Sequence, residues 1–346
     1  MTDKPLVIAP NLKRRLSGVT ATIVRLVPVQ ARMIAICATG PGLPPEVPHI
    51  PVIQTATMPR DRWRVWHARR NTEMLLGLFL RHVLRRKYRL LFTSASQRKH
   101  SGYSKWLIKR MDALVATSAK GAAYLDRPAT VIHHGIDTDG FAPPNDRAAL
   151  RNQLGLPPGQ VLVGCYGRIR AQKGTGDFVQ AMLALLPDRA DVTALVMGRA
   201  TEQHQAYLAG LKDQVTEAGL ADRILFLPEV SVDQMARWYG ALDLYVAPQR
   251  WEGFGLTPLE AMSCGVPVVG TRVGAFEELL TVDTGTLIQP EDGPAMQGAI
   301  ARWLDDPVAM ADAGRAARGH VEQNHAIEVE AAALVAIYRE LLERAS

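Results

Sequence analysis

A chain of 346 residues, 47% of them hydrophobic, exceeds what one core usually organises, so two packed domains are expected and a disordered polypeptide is excluded. Cys37, Cys165 and Cys264 lie far apart in apolar runs, which excludes a disulfide scaffold or zinc-site spacing and reads as reduced, buried thiols. The net charge of +6 hides an asymmetry, since residues 1–150 carry 24 Lys and Arg against 9 Asp and Glu and the remainder 16 against 25. The first half is expected to meet an anionic partner.

Short apolar runs alternate with amphipathic stretches, the pattern of parallel sheets covered by helices, and the fold class is α/β. Thr2-Asp-Lys-Pro leads straight into a strand at Leu6–Ala9 with no signal-peptide core, which fits a cytoplasmic protein. No apolar run is long enough to span a bilayer, and Met74–Leu80 is short and flanked by charge. Further strands are expected at Met33–Ala38, Ile50–Gln54, Leu90–Thr93, Ala113–Thr117 and Thr130–His133. Helices are expected at Val19–Leu26, Val65–Leu84, Lys105–Lys109 and Lys120–Leu125. Phe141-Ala-Pro-Pro-Asn-Asp146 breaks both periods and reads as a linker. Beyond it, strands are expected at Val161–Cys165, Thr193–Met197, Ile224–Phe226, Leu244–Val246, Val268–Val269 and Thr286–Ile288, with a helix at Asp177–Leu186 and only helical pattern from Pro294 onward. The domains are then 1–142 and 146–322, with 326–346 returning to the first.

Candidate functional residues follow several of these strands, where open α/β sheets bind their ligands. After the first strand come Lys13, Arg14 and Arg15, then Ser17 and Gly18 at a helix start; their amides suit a phosphate, or equally the segment is a helix cap with solvated charges. After Leu90–Thr93 come Gln97, Arg98, Lys99 and His100. His133 and His134 point to opposite faces, so they read as hinge packing and not as a metal pair. The Val161–Cys165 strand opens into Gly167 and Arg168, then Lys173 and Gly174, a guanidinium fork and a point charge placed to straddle a diphosphate.

Arg250–Thr271 is the most informative stretch. Glu252 and Glu260 flank a Gly-Phe-Gly turn with seven residues between them. Thr257 as cap, Pro258 at the first helical position and Glu260 three beyond the cap make a capping box. The amides of Phe254, Gly255, Leu256 and Thr257 would then face an anion at a positive helix end. Trp251 and Phe254 read as exposed beside them.

This stretch resembles the E-x7-E signature of retaining glycosyltransferases of the large family 4, and Gly167–Gly174 resembles that family's G-R-x4-K-G diphosphate motif. The resemblance covers most of residues 146–285 and is looser before them. It implies a GT-B fold, two Rossmann-like domains facing across a cleft. It places Glu252 near the donor sugar and Glu260 on the ribose hydroxyls, with Arg168 and Lys173 on the diphosphate. The same resemblance puts Gly18 and Gly167 with Phe254–Thr257 on the donor. It also expects a histidine just after the fourth strand, near the transferring sugar. Here Thr93 and Ser94 hold that strand end and His100 comes later, so His100 is either a donor-side or an acceptor-side contact. Lys13, Arg14, Arg15, Gln97, Arg98 and Lys99 are left for the acceptor.

A finer resemblance, carried by Arg14–Thr20, Phe92–Ser101 and Arg250–Glu260, is to lipopolysaccharide core mannosyltransferases. It implies GDP-mannose as donor and an anionic glycolipid as acceptor. Arg168 and Lys173 supply the charge needed at the diphosphate, so neither a metal nor another cofactor is expected. The rivals are a UDP-sugar enzyme of the same fold with a soluble acceptor, and a basic nucleic-acid-binding protein. The second rival leaves the acidic half unexplained and has no recognised binding motif, so no nucleic-acid partner is expected. Residues 59–110 hold fifteen Lys and Arg against Asp61 and Glu73, interleaved with Trp63, Trp66, Tyr88, Tyr103 and Trp106. That composition suits attachment to an anionic membrane, here the inner face of the cytoplasmic membrane, with Arg62, Arg64, Arg69 and Arg70 among the contacts.

Overall fold

The computed structural model describes residues 4–14 and 18–344. The chain divides into two compact units, residues 1–135 with 327–346, and Ile136–Ala326. Phe141–Asp146, which break the sequence pattern, lie within the second unit.

In the first unit the strands are β1 (Val7–Pro10), β2 (Ile36–Thr39), β3 (His49–Ile50), β4 (Arg64–Ala68), β5 (Tyr88–Ser94), β6 (Ala113–Ala116) and β7 (Thr130–Val131). They form one parallel sheet in the order β3-β2-β1-β4-β5-β6-β7. The second unit holds β8 (Val161–Tyr166), β9 (Val192–Met197), β10 (Ile224–Leu227), β11 (Leu244–Ala247), β12 (Val268–Thr271) and β13 (Gly285–Ile288). Its order is β10-β9-β8-β11-β12-β13, again all parallel. Both sheets are doubly wound, Rossmann-like layers. The strand order reverses between β1 and β4 in one, and between β8 and β11 in the other.

Each sheet separates two apolar clusters. The central strands are buried on both faces, as continuous Val, Ile and Leu runs require. The Ile327–Glu343 helix places Leu334, Val335, Tyr338 and Leu341 into the first unit's core beside Val7, Ile23 and Leu26. Glu330 on that helix accepts hydrogen bonds from His134 Nδ1 (2.9 Å) and the Gly135 amide (2.8 Å). His134 therefore does pack at the end of the first unit.

Two expected elements are corrected. Val65–Leu84 is not one helix. Arg64–Ala68 is the buried strand β4, and the helix begins at Asn71, ending at Leu78 before a wider π-type turn at Phe79–Val83. Arg64 and His67 give the strand a helix-like polar spacing, yet both are buried with partners. Arg64 donates to Pro59 O (2.8 Å) and Arg62 O (3.2 Å) and pairs with Asp61 (3.0 Å). His67 sits between the hydroxyls of Tyr338 (2.7 Å) and Thr93 (2.6 Å). Burial, then Arg69, pushes its imidazole well below the usual range, so it is neutral. Ile50–Gln54 is likewise not a strand, because only His49–Ile50 pair and Pro51 caps a helix at Val52–Thr57.

The three cysteines are free and buried, and burial pushes each thiol up to about 12. They are unreactive packing groups.

Candidate functional site

The site in the second unit grows from adjacent strands. β8 and β11 are hydrogen-bonded neighbours, so the loops that leave their carboxyl ends meet. These loops flank the reversal of strand order, where doubly wound sheets take their ligands. After β8 the chain passes Gly167 and Arg168, makes a tight turn at Ala171–Lys173, and enters the Thr175–Leu185 helix through Gly174. Gly174 has φ +71°, and a Cβ there would lie 1.8 Å from Pro248 O in the facing loop. A side chain at this position would force the two loops apart.

Arg250 ties them together. Its guanidinium grips both oxygens of Asp177 (2.9 and 2.7 Å), its Nη1 meets Glu291 (3.0 Å), and its amide donates to Gln172 O (3.1 Å). The bidentate fork fixes direction as well as distance. Two residues on, Glu252 Oε2 is ion-paired with Lys173 Nζ, while Oε1 accepts from the Gly253 amide (2.9 Å). Both partners are about one-fifth exposed, so the pair faces solvent without being flooded by it. Arg168 is exposed and, among the described residues, has no ion-pair partner. Lys173 and Glu252, which the sequence treats as separate ligands, thus hold each other, with Arg168 as the uncommitted cation of the same loop.

The turn beyond is built differently from expectation. Phe254 is buried, packed with Phe276 in the core, and only Trp251 is exposed. Gly255 has φ +90°, and a Cβ there would strike the Phe276 ring at 2.3 Å, so packing of the turn already demands glycine. The capping box does not form. Leu256 O already accepts from the Glu260 amide (3.0 Å), which puts Leu256 at the cap and Thr257 inside the helix Thr257–Ser263. Glu260 turns to Tyr239, whose hydroxyl donates to Oε2 (2.8 Å). Tyr239 is fully buried among the rings of Phe141, Tyr166 and Tyr245. Burial first, then the Glu260 charge, holds its phenol well above the ordinary range, so it remains a donor.

Arg250, Asp177 and Tyr239 thus position the two glutamates, and sequence reasoning gave them no role. Their only sequence signal is general: a buried tyrosine hydroxyl needs a partner, and an arginine beside a motif can hold it. Gln249 was also missed. It is buried beside Gly167, Arg168 and Lys173, with Oε1 lacking a partner among the described residues.

In the first unit the loops after β1 and β4 also meet at the reversal of strand order. Asn11 Oδ1 accepts from Thr20 (3.0 Å) and Arg70 (3.0 Å), and Arg70 pairs with the buried Glu73 (2.7 Å). Gly18 begins the Gly18–Gln30 helix, Lys13 and Arg14 are exposed, and Arg15 and Ser17 lie outside the described residues. After β5, Gln97 is tied to Ser118 (3.0 Å), and Arg98 and Lys99 are exposed. His100 lines a groove along the Gly102–Ile108 helix, with Nε2 buried and lacking a partner among the described residues. Burial pushes its imidazole below the usual range. Among the described residues, no side-chain hydrogen bond or ion pair links Lys13 or Arg14 to Gln97, Arg98, Lys99 or His100.

Of the four arginines assigned to a membrane surface, Arg64 and Arg70 are structural. One is buried and the other is committed to Glu73 and Asn11, so neither can meet a headgroup.

Comparison with known proteins agrees with this architecture. Residues 146–320 match the model of the family described as glycosyl transferases group 1. The chain is 54% identical over 344 residues, 97% of each protein, to the lipopolysaccharide core biosynthesis mannosyltransferase LpsB of Rhizobium meliloti (strain 1021). It is 50% identical over 342 residues, 97% of this chain and 96% of the other, to LpcC of Rhizobium leguminosarum bv. viciae, which has the same description. Among solved structures, Anabaena HepE in complex with UDP superposes with a TM-score of 0.82 at 19% identity, covering 96% of this chain and 99% of that one, a likeness of fold. The paired parallel sheets, the loops joined at the second sheet's reversal and these matches together place the chain in the group 1 glycosyl transferases, enzymes of GT-B fold.

Proposed function

We propose that this chain is a retaining mannosyltransferase that moves mannose from GDP-mannose to the inner core of lipopolysaccharide. The observation that carries the transfer reading is the Lys173–Glu252 pair, locked by Arg250 and Asp177 beside the uncommitted Arg168. A cation pair next to a carboxylate suits a diphosphate next to a sugar. The choice of mannose and of the acceptor rests on the two relatives named for that activity.

In this reading Arg168 and Lys173 take up charge as it grows on the leaving diphosphate, so the step needs no metal. The acceptor oxygen bonds to the anomeric carbon on the face from which the phosphate departs. The carbon–phosphate oxygen bond breaks, and the acceptor proton passes to the departing phosphate. Glu252 positions the sugar and does not bond to it. Glu260, oriented by Tyr239, accepts from the ribose hydroxyls. The amides of residues 254–257, with Gly167 and Gly18, line the donor. Gln97, Arg98, Lys99, Lys13, Arg14 and Arg15 serve the acceptor side, and His100 stands near the transferring sugar as a contact of donor or acceptor. The acceptor is an anionic glycolipid, and the enzyme works peripherally on the inner face of the cytoplasmic membrane. Among the described residues no helix is long and apolar enough to cross a membrane.

A panel of GDP- and UDP-sugars tests this reading through protection against thermal unfolding and acceptor-dependent nucleotide release. GDP-mannose is expected to protect best, to react in excess EDTA and to give the α-linked product. Preference for a UDP-sugar, a β-linked product, or activity restored only by a divalent cation would each overturn its own part.

A further inference from the structure

The groove beside the Gly102–Ile108 helix is larger than any hydrogen-bonding role of His100 requires. It measures about 850 Å³ and runs from His100, past Lys105, Trp106 and Lys109, to Arg110, with Tyr124–Arg127 as the opposite wall. Ile108 and Leu125 are its buried apolar lining. Three large aromatic rings stand at or near its rim, Tyr103, Trp106 and Tyr124, and each is 39–51% exposed. Trp106 has the Tyr103 ring nearly parallel to it, 6.5 Å away between centroids, and the Arg110 guanidinium 4.0 Å from its centroid. A globular surface has no packing reason to display such a stack.

The charges around it are one-sided. Arg127 donates to the carbonyls of Ile108, Lys109 and Met111, closing the helix C-terminus. Arg110 keeps one nitrogen on Trp106 O. Lys105 pairs with Asp126, the one carboxylate among the described residues of the groove, and both are well exposed. Lys109 is exposed and has no ion-pair partner among the described residues. Four cations against one carboxylate leave the groove complementary to an anion, while its apolar floor and rim rings are complementary to hydrocarbon or to the interface of a bilayer.

We propose that this groove seats the phosphate-bearing headgroup of a membrane lipid, and that the first unit meets the bilayer there. The inference rests on the peripheral-membrane reading above and deepens it. It moves the contact away from the Arg62–Arg70 segment, where Arg64 is buried and Arg70 is committed to Glu73 and Asn11, to Lys109 and Arg110, which are exposed. Trp106 and Tyr103 lie at the depth of the headgroups, and the cations take the phosphate. Soluble phosphate would satisfy the cations alone and leave the rings in water, so the occupant is a lipid.

The test is co-sedimentation of the full chain with vesicles of phosphatidylcholine, or of equal parts phosphatidylcholine and phosphatidylglycerol. Wild type is expected to sediment with the mixed vesicles, weakly with the neutral ones, and to be released by salt. The variant carrying Trp106→Ala, Lys109→Glu and Arg110→Glu is expected to lose about ten-fold or more of that binding. Its protection by nucleotide sugar and its turnover on a lipid-free acceptor should stay unchanged. Lys109→Glu alone, at a solvent-facing position, repeats the test with no packing change. Arg60→Glu with Arg62→Glu, exposed elsewhere on the unit, should lose far less. Wild-type binding by either groove variant, equal loss by the Arg60 and Arg62 variant, or full competition by inorganic phosphate at matched ionic strength would overturn the proposal. Vesicle binding that behaves as expected in a protein inert to every nucleotide sugar would sink the transfer reading alone. Transfer to glycolipid in detergent without any vesicle binding would sink the groove alone.

Discussion

At the scale of single residues, the Lys173–Glu252 pair makes the chemistry testable, because each partner restrains the other. Neutralising Glu252 as Glu252→Gln removes the sugar-side carboxylate and also frees Lys173 for phosphate. Turnover is expected to fall by about two orders of magnitude or more. GDP affinity, measured by calorimetry, should hold or rise. The pair is partly exposed, so stability should change by less than about 1 kcal/mol. Weaker GDP binding in this variant would contradict the shared-cation arrangement. Arg168→Ala and Lys173→Ala should each lower turnover by about two orders of magnitude and weaken GDP binding, the combination that marks a leaving-group stabiliser. Normal turnover and affinity in the double variant would remove both residues from the diphosphate. The sequence exposed these groups because their types and spacing state the chemistry directly. It did not expose Arg250, Asp177 or Tyr239, since the partner of a buried or bridging group comes from another element, 73 residues away for Arg250 and Asp177. Phe254 misled for a related reason: between two glycines it looks like a ring on a loop, and only Phe276 makes it core.

At the scale of elements, the site depends on two loops being held in contact. Gly174→Ala would place a methyl group against Pro248 O and demand a left-handed backbone of a residue that resists it. A loss of roughly 2–4 kcal/mol in denaturant unfolding is expected, with a fall in turnover as the Lys173 and Glu252 loops separate. Unchanged stability would mean that the loops do not touch. The Ile327–Glu343 helix carries a pH-dependent contact. Burial alone would raise the Glu330 carboxyl, but His134 and the Gly135 amide outweigh it and hold it below its ordinary 4.5. A lowered carboxyl contributes stability above its unfolded value and loses it as pH falls through the folded one. The stability gap between wild type and Glu330→Gln should therefore be present above pH 4.5 and narrow as pH falls below it. A gap that widens on acidification would reverse the assignment. Most strands were legible because runs such as Val161–Tyr166 are buried on both faces and read as unbroken apolar stretches. β4 was not legible, since Arg64 and His67 satisfy their polarity inside the fold, and sequence spacing cannot tell an inward arginine with carbonyl partners from an outward one in water.

At the scale of the whole molecule, the charge asymmetry of the sequence falls between the two units: the basic half forms most of the first and the acidic half most of the second. The proposed function uses that division, with the lipid-bound acceptor on the first and the nucleotide sugar on the second. The path of the chain has a further consequence. The first unit is interrupted: β1–β7 are complete by Val131, but the helix that supplies Leu334, Tyr338 and Leu341 to their core lies beyond Ala326. The second unit is one uninterrupted segment with two cores of its own. During synthesis the first sheet must wait, with part of an apolar face uncovered, until the entire second unit has been made. Domains fold as units while the chain emerges, so the second is expected to become native before the first, against the order of the sequence. Expressed alone, residues 136–326 should fold and bind GDP, while residues 1–135 should aggregate unless a peptide of residues 327–346 is supplied. Chaperone dependence, and the damage from premature termination near the 3′ end of the message, should therefore fall on the half translated first.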